Sequence, residues 1–277
     1  MIKKSIYCFI FIFVCHLCIV LLNPSLGMAT HQWQDNIVKA QSFYYSDKAD
    51  TVMVGTSLSA RIIGDSIPSV KSVAFGGCAV KDGLQLILSK KELPKYVLVE
   101  TNLILRKGNS EVVSKTTAGV IPLIKGWIPS LRERYEPICL ITSLMMSSTG
   151  VNAHAKQSKV NMRLLNGSIK RMLDNDKSVP EKEAESRLKD IKGLIHELEG
   201  KGTQIVFFEM PVNEKVLNLK KFAQARDVMQ REFPRNTYMY MPTDTTKYLT
   251  TDGEHLSFDE QQRFSHFFSQ ALKLLQL

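Results

Sequence analysis

The sequence predicts an α/β fold organised on a mainly parallel sheet. Short apolar runs rich in β-branched residues recur along the chain, and each closes on a Gly, Asn or Pro. Longer stretches between them carry apolar residues at helical spacing. Parallel strands need a crossover of a dozen residues or more, usually a helix, so this alternation is what such a sheet requires.

The chain opens on a different pattern. Lys3 and Lys4 precede an apolar run from Ile6 to Leu22 that contains Phe9, Phe11, Phe13, Val14 and Leu17. Positive residues stay on the cytoplasmic side, so the remainder is expected to be exported. A run of this length is long for the core of a signal peptide and just sufficient to cross a bilayer. We read residues 1–29 as an uncleaved signal anchor in the cell membrane. Cleavage at Gly27-Met28-Ala29, releasing a secreted or periplasmic protein, is the alternative.

Residues 30–50 are polar and aromatic, and read as a juxtamembrane helix packed on the domain. Thr51 to Val54 is a buried strand ending at Gly55, and Ser57 to Ile63 reads as the start of a helix. A second strand spans about Ser69 to Phe75 and closes at Gly76-Gly77; a helix with Val80, Leu84 and Ile87 follows. Tyr96 to Val99 is a third strand, closed by Glu100-Thr101-Asn102. An insertion of about residues 106–180 comes next. Within it Trp127 to Tyr135 reads as helical, and Pro137 to Met146 as either a strand or a buried helix. Glu181 to Glu199 is an amphipathic helix, Gln204 to Phe208 a strand, Lys215 to Arg231 a helix and Tyr238 to Met241 a last strand. Ser257 with Glu260 three residues on is a capping-box pattern for a final helix.

Composition narrows the function classes. The 277 residues carry a formal charge of +9, but Lys and Arg are scattered and form no dense basic run. A nucleic-acid partner is not expected; a basic surface near anionic lipid or polysaccharide is. Cys8, Cys15 and Cys18 lie in the leader, which leaves Cys78 and Cys139 as small apolar residues or one disulfide pair. No Cys/His spacing suits zinc. No Gly-x-x-x-x-Gly-Lys or Gly-x-Gly-x-x-Gly follows the first strand, which counts against a nucleotide-binding domain.

In parallel α/β sheets, ligands bind beyond the carboxyl ends of the strands. Gly55-Thr56-Ser57, Gly76-Gly77 and Glu100-Thr101-Asn102 each stand just after a strand, so they should crowd one edge. A serine there can act as a nucleophile if a base takes its proton, and as an N-cap otherwise. Ser59 is a nearby rival. His255 is the candidate base, with Asp252 three residues earlier to orient it. The N–H of Ser57, the N–H of Gly77 (or Gly76) and the amide of Asn102 are candidate oxyanion donors. We expect Glu100 to be a strand-end carboxylate paired with a Lys or Arg.

The order Gly55-Thr56-Ser57, Gly77, Asn102 and Asp252-x-x-His255 resembles the SGNH/GDSL hydrolase superfamily from about Thr51 onward. The resemblance implies a flavodoxin-like three-layer α/β/α domain over residues 51–277. It implies Ser57 as nucleophile, Gly77 and Asn102 as oxyanion donors, His255 as base and Asp252 as its partner, with no cofactor and no metal. Thr56 and Glu100 stand where the family usually has Asp and Gly, and Leu103 follows Asn102 where the family has Asp. These departures are similar to the branch found beside membrane-bound O-acyltransferases in cell-surface polysaccharide modification. That branch implies an esterase or acyltransferase acting on acylated glycans, with such an acyltransferase as partner. The alternative is a non-catalytic glycan-binding or accessory subunit of the same complex.

Overall fold

The computed structural model describes residues 2–22, 29–46, 48–149 and 160–276. Most of the Gly27-Met28-Ala29 motif and the tip of the insertion lie outside the described residues. Five strands form the sheet: β1 (Thr51–Gly55), β2 (Val70–Ala74), β3 (Tyr96–Glu100), β4 (Gln204–Phe208) and β5 (Met239–Tyr240). Their order is β2-β1-β3-β4-β5, and every pairing is parallel. This is the flavodoxin-like doubly wound order, whose switch point falls between β1 and β3.

The helices are α1 (Ile2–Leu22), α2 (Gln32–Tyr44), α3 (Val80–Leu88), α4 (Glu111–Thr117), α5 (Val120–Trp127), α6 (Pro137–Thr149), α7 (Met162–Asp174), α8 (Glu181–Gly200), α9 (Lys220–Glu232) and α10 (Phe258–Leu274). Alternation along the strands sends side chains to two layers. Val52, Val54, Val97, Val99, Ile205 and Phe207 face a core completed by α2, α3, α8 and α9. Met53, Leu98, Val206 and Phe208 face the opposite core, where α10 supplies Phe264, Phe268, Ala271 and Leu272. Those α10 residues fall at i, i+4, i+7 and i+8, one stripe of a helix.

Several local expectations change. Ser57 opens no α-helix; two 3-10 turns follow it, Ser59–Arg61 and Gly64–Ser66. Ile62 then takes an extended backbone (φ −65°, ψ 130°), which stops the helix. Residues 137–149 are helical, which decides the ambiguous stretch. The segment 127–135 ends α5 and continues as two 3-10 turns, Pro129–Leu131 and Glu133–Tyr135. The helix expected from Lys215 begins at Lys220, whose N–H is accepted by Asp176 Oδ1 at 2.7 Å. The capping box at Ser257 does not form. The Ser257 N–H, which Glu260 would accept, already donates to the Leu249 carbonyl at 3.0 Å; Glu260 pairs with Arg263 instead.

Cys78 and Cys139 are both free and buried. Burial pushes the Cys78 thiol up to about 11, with Asp82 adding to it. Cys139 Sγ accepts from Gln34 Nε2 at 2.9 Å. Helix α1 is long and apolar enough to cross a membrane, with a mean hydropathy of 2.7.

Candidate active site

Gly55 ends β1 under a close constraint. A Cβ there would stand 1.9 Å from Ser59 Oγ and 2.6 Å from Glu100 Oε2, so a side chain would disrupt the turn. The reason for this crowding is Glu100. It is fully buried at the end of β3, and no Lys or Arg among the described residues meets it. Its Oε1 accepts from Thr56 Oγ1 at 2.7 Å, and its Oε2 from Thr56 N (2.8 Å), Ser59 N (3.1 Å) and Ser59 Oγ (2.6 Å). The expected surface ion pair is thus replaced by a carboxylate that grips the loop on either side of Ser57. Burying a charge is costly unless several donors compensate it, and here four do. Ser59, the rival nucleophile, is committed to this carboxylate and buried.

Ser57 itself is half-buried and points elsewhere. Its Oγ lies 2.9 Å from His255 Nε2, a contact between residues 198 positions apart. His255 Nδ1 lies 2.7 Å from Asp252 Oδ2. A carboxylate can only accept, so Nδ1 carries the ring proton and Nε2 accepts from the Ser57 hydroxyl. Partial burial alone would raise the Asp252 carboxyl. Hydrogen bonds from the His255 ring and from the N–H groups of His255 and Glu254 outweigh it, and hold that carboxyl well below the usual range. Asp252 is therefore ionised wherever the protein is folded near neutral pH.

The loop that carries this pair is stapled on both sides. Thr250 and Leu256 form an antiparallel bridge, and Thr251 N donates to the His255 carbonyl at 2.8 Å. Asn213 N donates to the Gly253 carbonyl at 2.9 Å. Gly253 has φ +107°, and a Cβ there would stand 2.5 Å from Met172 Cε of α7. The insertion helix thus rests on the tip of the loop, and the positive φ reserves that place for glycine. Gly253→Ala should lower the rate of any His255-dependent reaction by about tenfold or more, since small misplacement of a catalytic group is costly. Thermal melts run beside the rate assays separate this from global unfolding. A hollow of about 430 Å³ adjoins Asp252 and Glu254, walled by Ser168, Arg171 and Met172 of α7.

The second strand-end loop is set by α2. Asn36, buried in that helix, accepts from Gly76 N at 2.9 Å and donates to the Gly76 carbonyl at 2.8 Å. Gly76 has spent its N–H. Gly77, at φ +78°, is exposed, and its N–H donates to no acceptor among the described residues. The same holds for the Ser57 N–H. Asn102 is buried after β3 and exchanges two bonds with the Met210 backbone, Nδ2 to O at 2.8 Å and N to Oδ1 at 2.7 Å. One Asn102 amide hydrogen remains beyond that pair. Asn36 and the Glu100 grip were not evident as parts of the site in the sequence. Asn36 gives no signal of its own, whereas Glu100 does, as an acidic residue ending an otherwise apolar strand.

No protein-family model matches the chain, and no curated protein matches its sequence. Two solved structures are similar in chain path. A Bacteroides fragilis protein named as a candidate acylhydrolase shares 11% identity over 88% of this chain and 99% of its own, with a TM-score of 0.41. A Streptococcus pneumoniae protein named as a candidate platelet activating factor shares 13% identity over 92% of this chain and 96% of its own, also at 0.41. Likeness at this level does not bear on the chemistry.

Proposed function

We propose that the chain is a serine-dependent ester hydrolase or O-acyltransferase that works through an acyl-enzyme on Ser57. The observation that carries this reading is the unbroken hydrogen-bond chain Ser57–His255–Asp252 at the carboxyl edge of the sheet. His255 Nε2 takes the Ser57 proton as Oγ attacks the acyl carbonyl, and Asp252 stabilises the resulting imidazolium. The oxyanion is received by the uncommitted N–H groups of Ser57, Gly77 and Asn102. Collapse expels the alcohol with the proton from His255. Water then releases the acid, or a sugar hydroxyl accepts the acyl group. An anchored, exported domain suits O-acyl groups, acetyl among them, on cell-surface glycans, supplied or shared by a membrane-bound O-acyltransferase.

A fluorophosphonate probe should label the full chain stoichiometrically, and Ser57→Ala should abolish both labelling and release of acetate from a chromogenic ester. Unlabelled wild-type protein, or full activity in Ser57→Ala, would overturn the proposal; the former would favour a non-catalytic glycan-binding subunit.

A further inference from the structure

Helix α5 has an unusual surface. Its inner side carries Pro122, Lys125 and Gly126. The Pro122 carbonyl accepts from Tyr45 Oη at 2.9 Å, Lys125 pairs with Glu133 at 2.7 Å, and a Cβ at Gly126 would stand 3.6 Å from the Tyr45 ring. Its outer side carries Val120, Ile121, Leu123, Ile124 and Trp127, with no polar residue among them. Trp127 is 88% exposed, and Ile121 and Leu123 are each 66% exposed. Further along the chain, α6 turns Ile138, Ile141, Leu144 and Met145 outward, and contains no charged residue. Soluble proteins seldom expose large apolar helix faces such as that of α5 without a partner for them.

What lies beside the face says what covers it. The C-terminal third of α1 packs against the same segment: Val20 is buried with Tyr135 and Leu140, and His16 Nε2 lies 3.2 Å from the Ser130 carbonyl. Six residues separate His16 from the end of α1 at Leu22. At 1.5 Å per residue the domain therefore meets α1 about 9 Å below its upper end. Interfacial helices bury their apolar faces about 5–10 Å into the headgroup and acyl boundary. The face is also rigidly mounted. Gln34 of α2 donates to Glu136 at 3.0 Å, and Gln41 donates to Glu133. A terminal Trp suits the interface, and the excess of Lys and Arg over Asp and Glu beyond the leader favours anionic lipid.

We propose that the outer face of α5 lies in the lipid interface of the membrane that α1 crosses, giving the domain a second, fixed attachment. This rests on α1 crossing a bilayer and not on the serine chemistry, so fluorophosphonate labelling is a separate readout. The chain has two tryptophans, Trp33 and Trp127. Full-length Trp33→Phe protein, reconstituted in phosphatidylcholine/phosphatidylglycerol vesicles, reports on Trp127 alone. Lipids brominated near the headgroup end of the acyl chain should quench at least half its emission, and aqueous iodide should quench little. Adding Ile121→Asp and Ile124→Asp on this exposed face should restore iodide access, with the melting temperature and Ser57 labelling retained. Emission that brominated lipid leaves intact and iodide quenches would overturn the proposal. So would iodide access lost only when a membrane-protein partner is added, which would assign the face to that protein.

Discussion

Asp252→Asn is expected to slow acyl transfer by about 10⁴-fold while leaving the fold intact. An amide oxygen can still accept from the His255 and Glu254 backbone N–H groups, so the loop keeps its shape. The other end of the side chain changes more. If the amide NH₂ faces the ring, it donates to Nδ1 and drives the ring proton to Nε2, where it meets the Ser57 hydroxyl instead of receiving its proton. A wrong tautomer of this kind costs roughly four orders of magnitude in serine hydrolases. Single-turnover acetate release by Asp252→Asn, with a melting temperature close to the wild type, is the check. A loss below tenfold would mean that Asp252 does not orient the base.

The second large effect is expected at Glu100, a residue that touches no substrate in the proposed reaction. Glu100→Gln retains the shape but replaces one acceptor oxygen with an NH₂ group. That group would face N–H and O–H donors of Thr56 or Ser59. Each buried donor left unpaired costs about 1–3 kcal/mol. Two such donors would lower the melting temperature by roughly 4–24 °C at the 2–4 °C per kcal/mol typical of domains of this size. The loop carrying Ser57 would lose its register as well. At temperatures where the variant is fully folded, kcat should fall by about tenfold or more, with a smaller change in KM. Glu100→Asp, shorter by one methylene, should be no better a substitute. A Glu100→Gln enzyme of native stability and rate would show that the grip on Thr56 and Ser59 is dispensable.

The sheet was legible because its strands are short, apolar and β-branched, with loop residues at each carboxyl end. Val52, Val97 and Ile205 declare burial by composition alone. The strand ends then brought Ser57, Gly77 and Asn102 to one edge. Direction was harder to read. Nothing in Glu100 announces that its donors come from the neighbouring strand's loop, because a sequence records a carboxylate and not what it accepts from. The 3-10 turn at Ser59–Arg61 is held by the same contact: Glu100 accepts from Ser59 N and Oγ at its start. Ser257 failed as a capping box since its N–H was already committed to Leu249, a contact within the folded loop. Pro137 to Met146, read as a strand or a buried helix, differs in another way: it forms α6 with Cys139 and Leu140 buried, while Ile138, Ile141, Leu144 and Met145 look outward.

The contact between Ser57 and His255 has a consequence for the timing of synthesis. Ser57 leaves the ribosome early, and His255 follows 198 residues later, after four of the five strands and most of the helices. No translation intermediate short of the Thr250–Leu256 bridge can hold the pair together. Under the proposed reaction and export, the chain would stay chemically silent beside every ester it passes, and would acquire its reactivity only once nearly all of it had reached the far side.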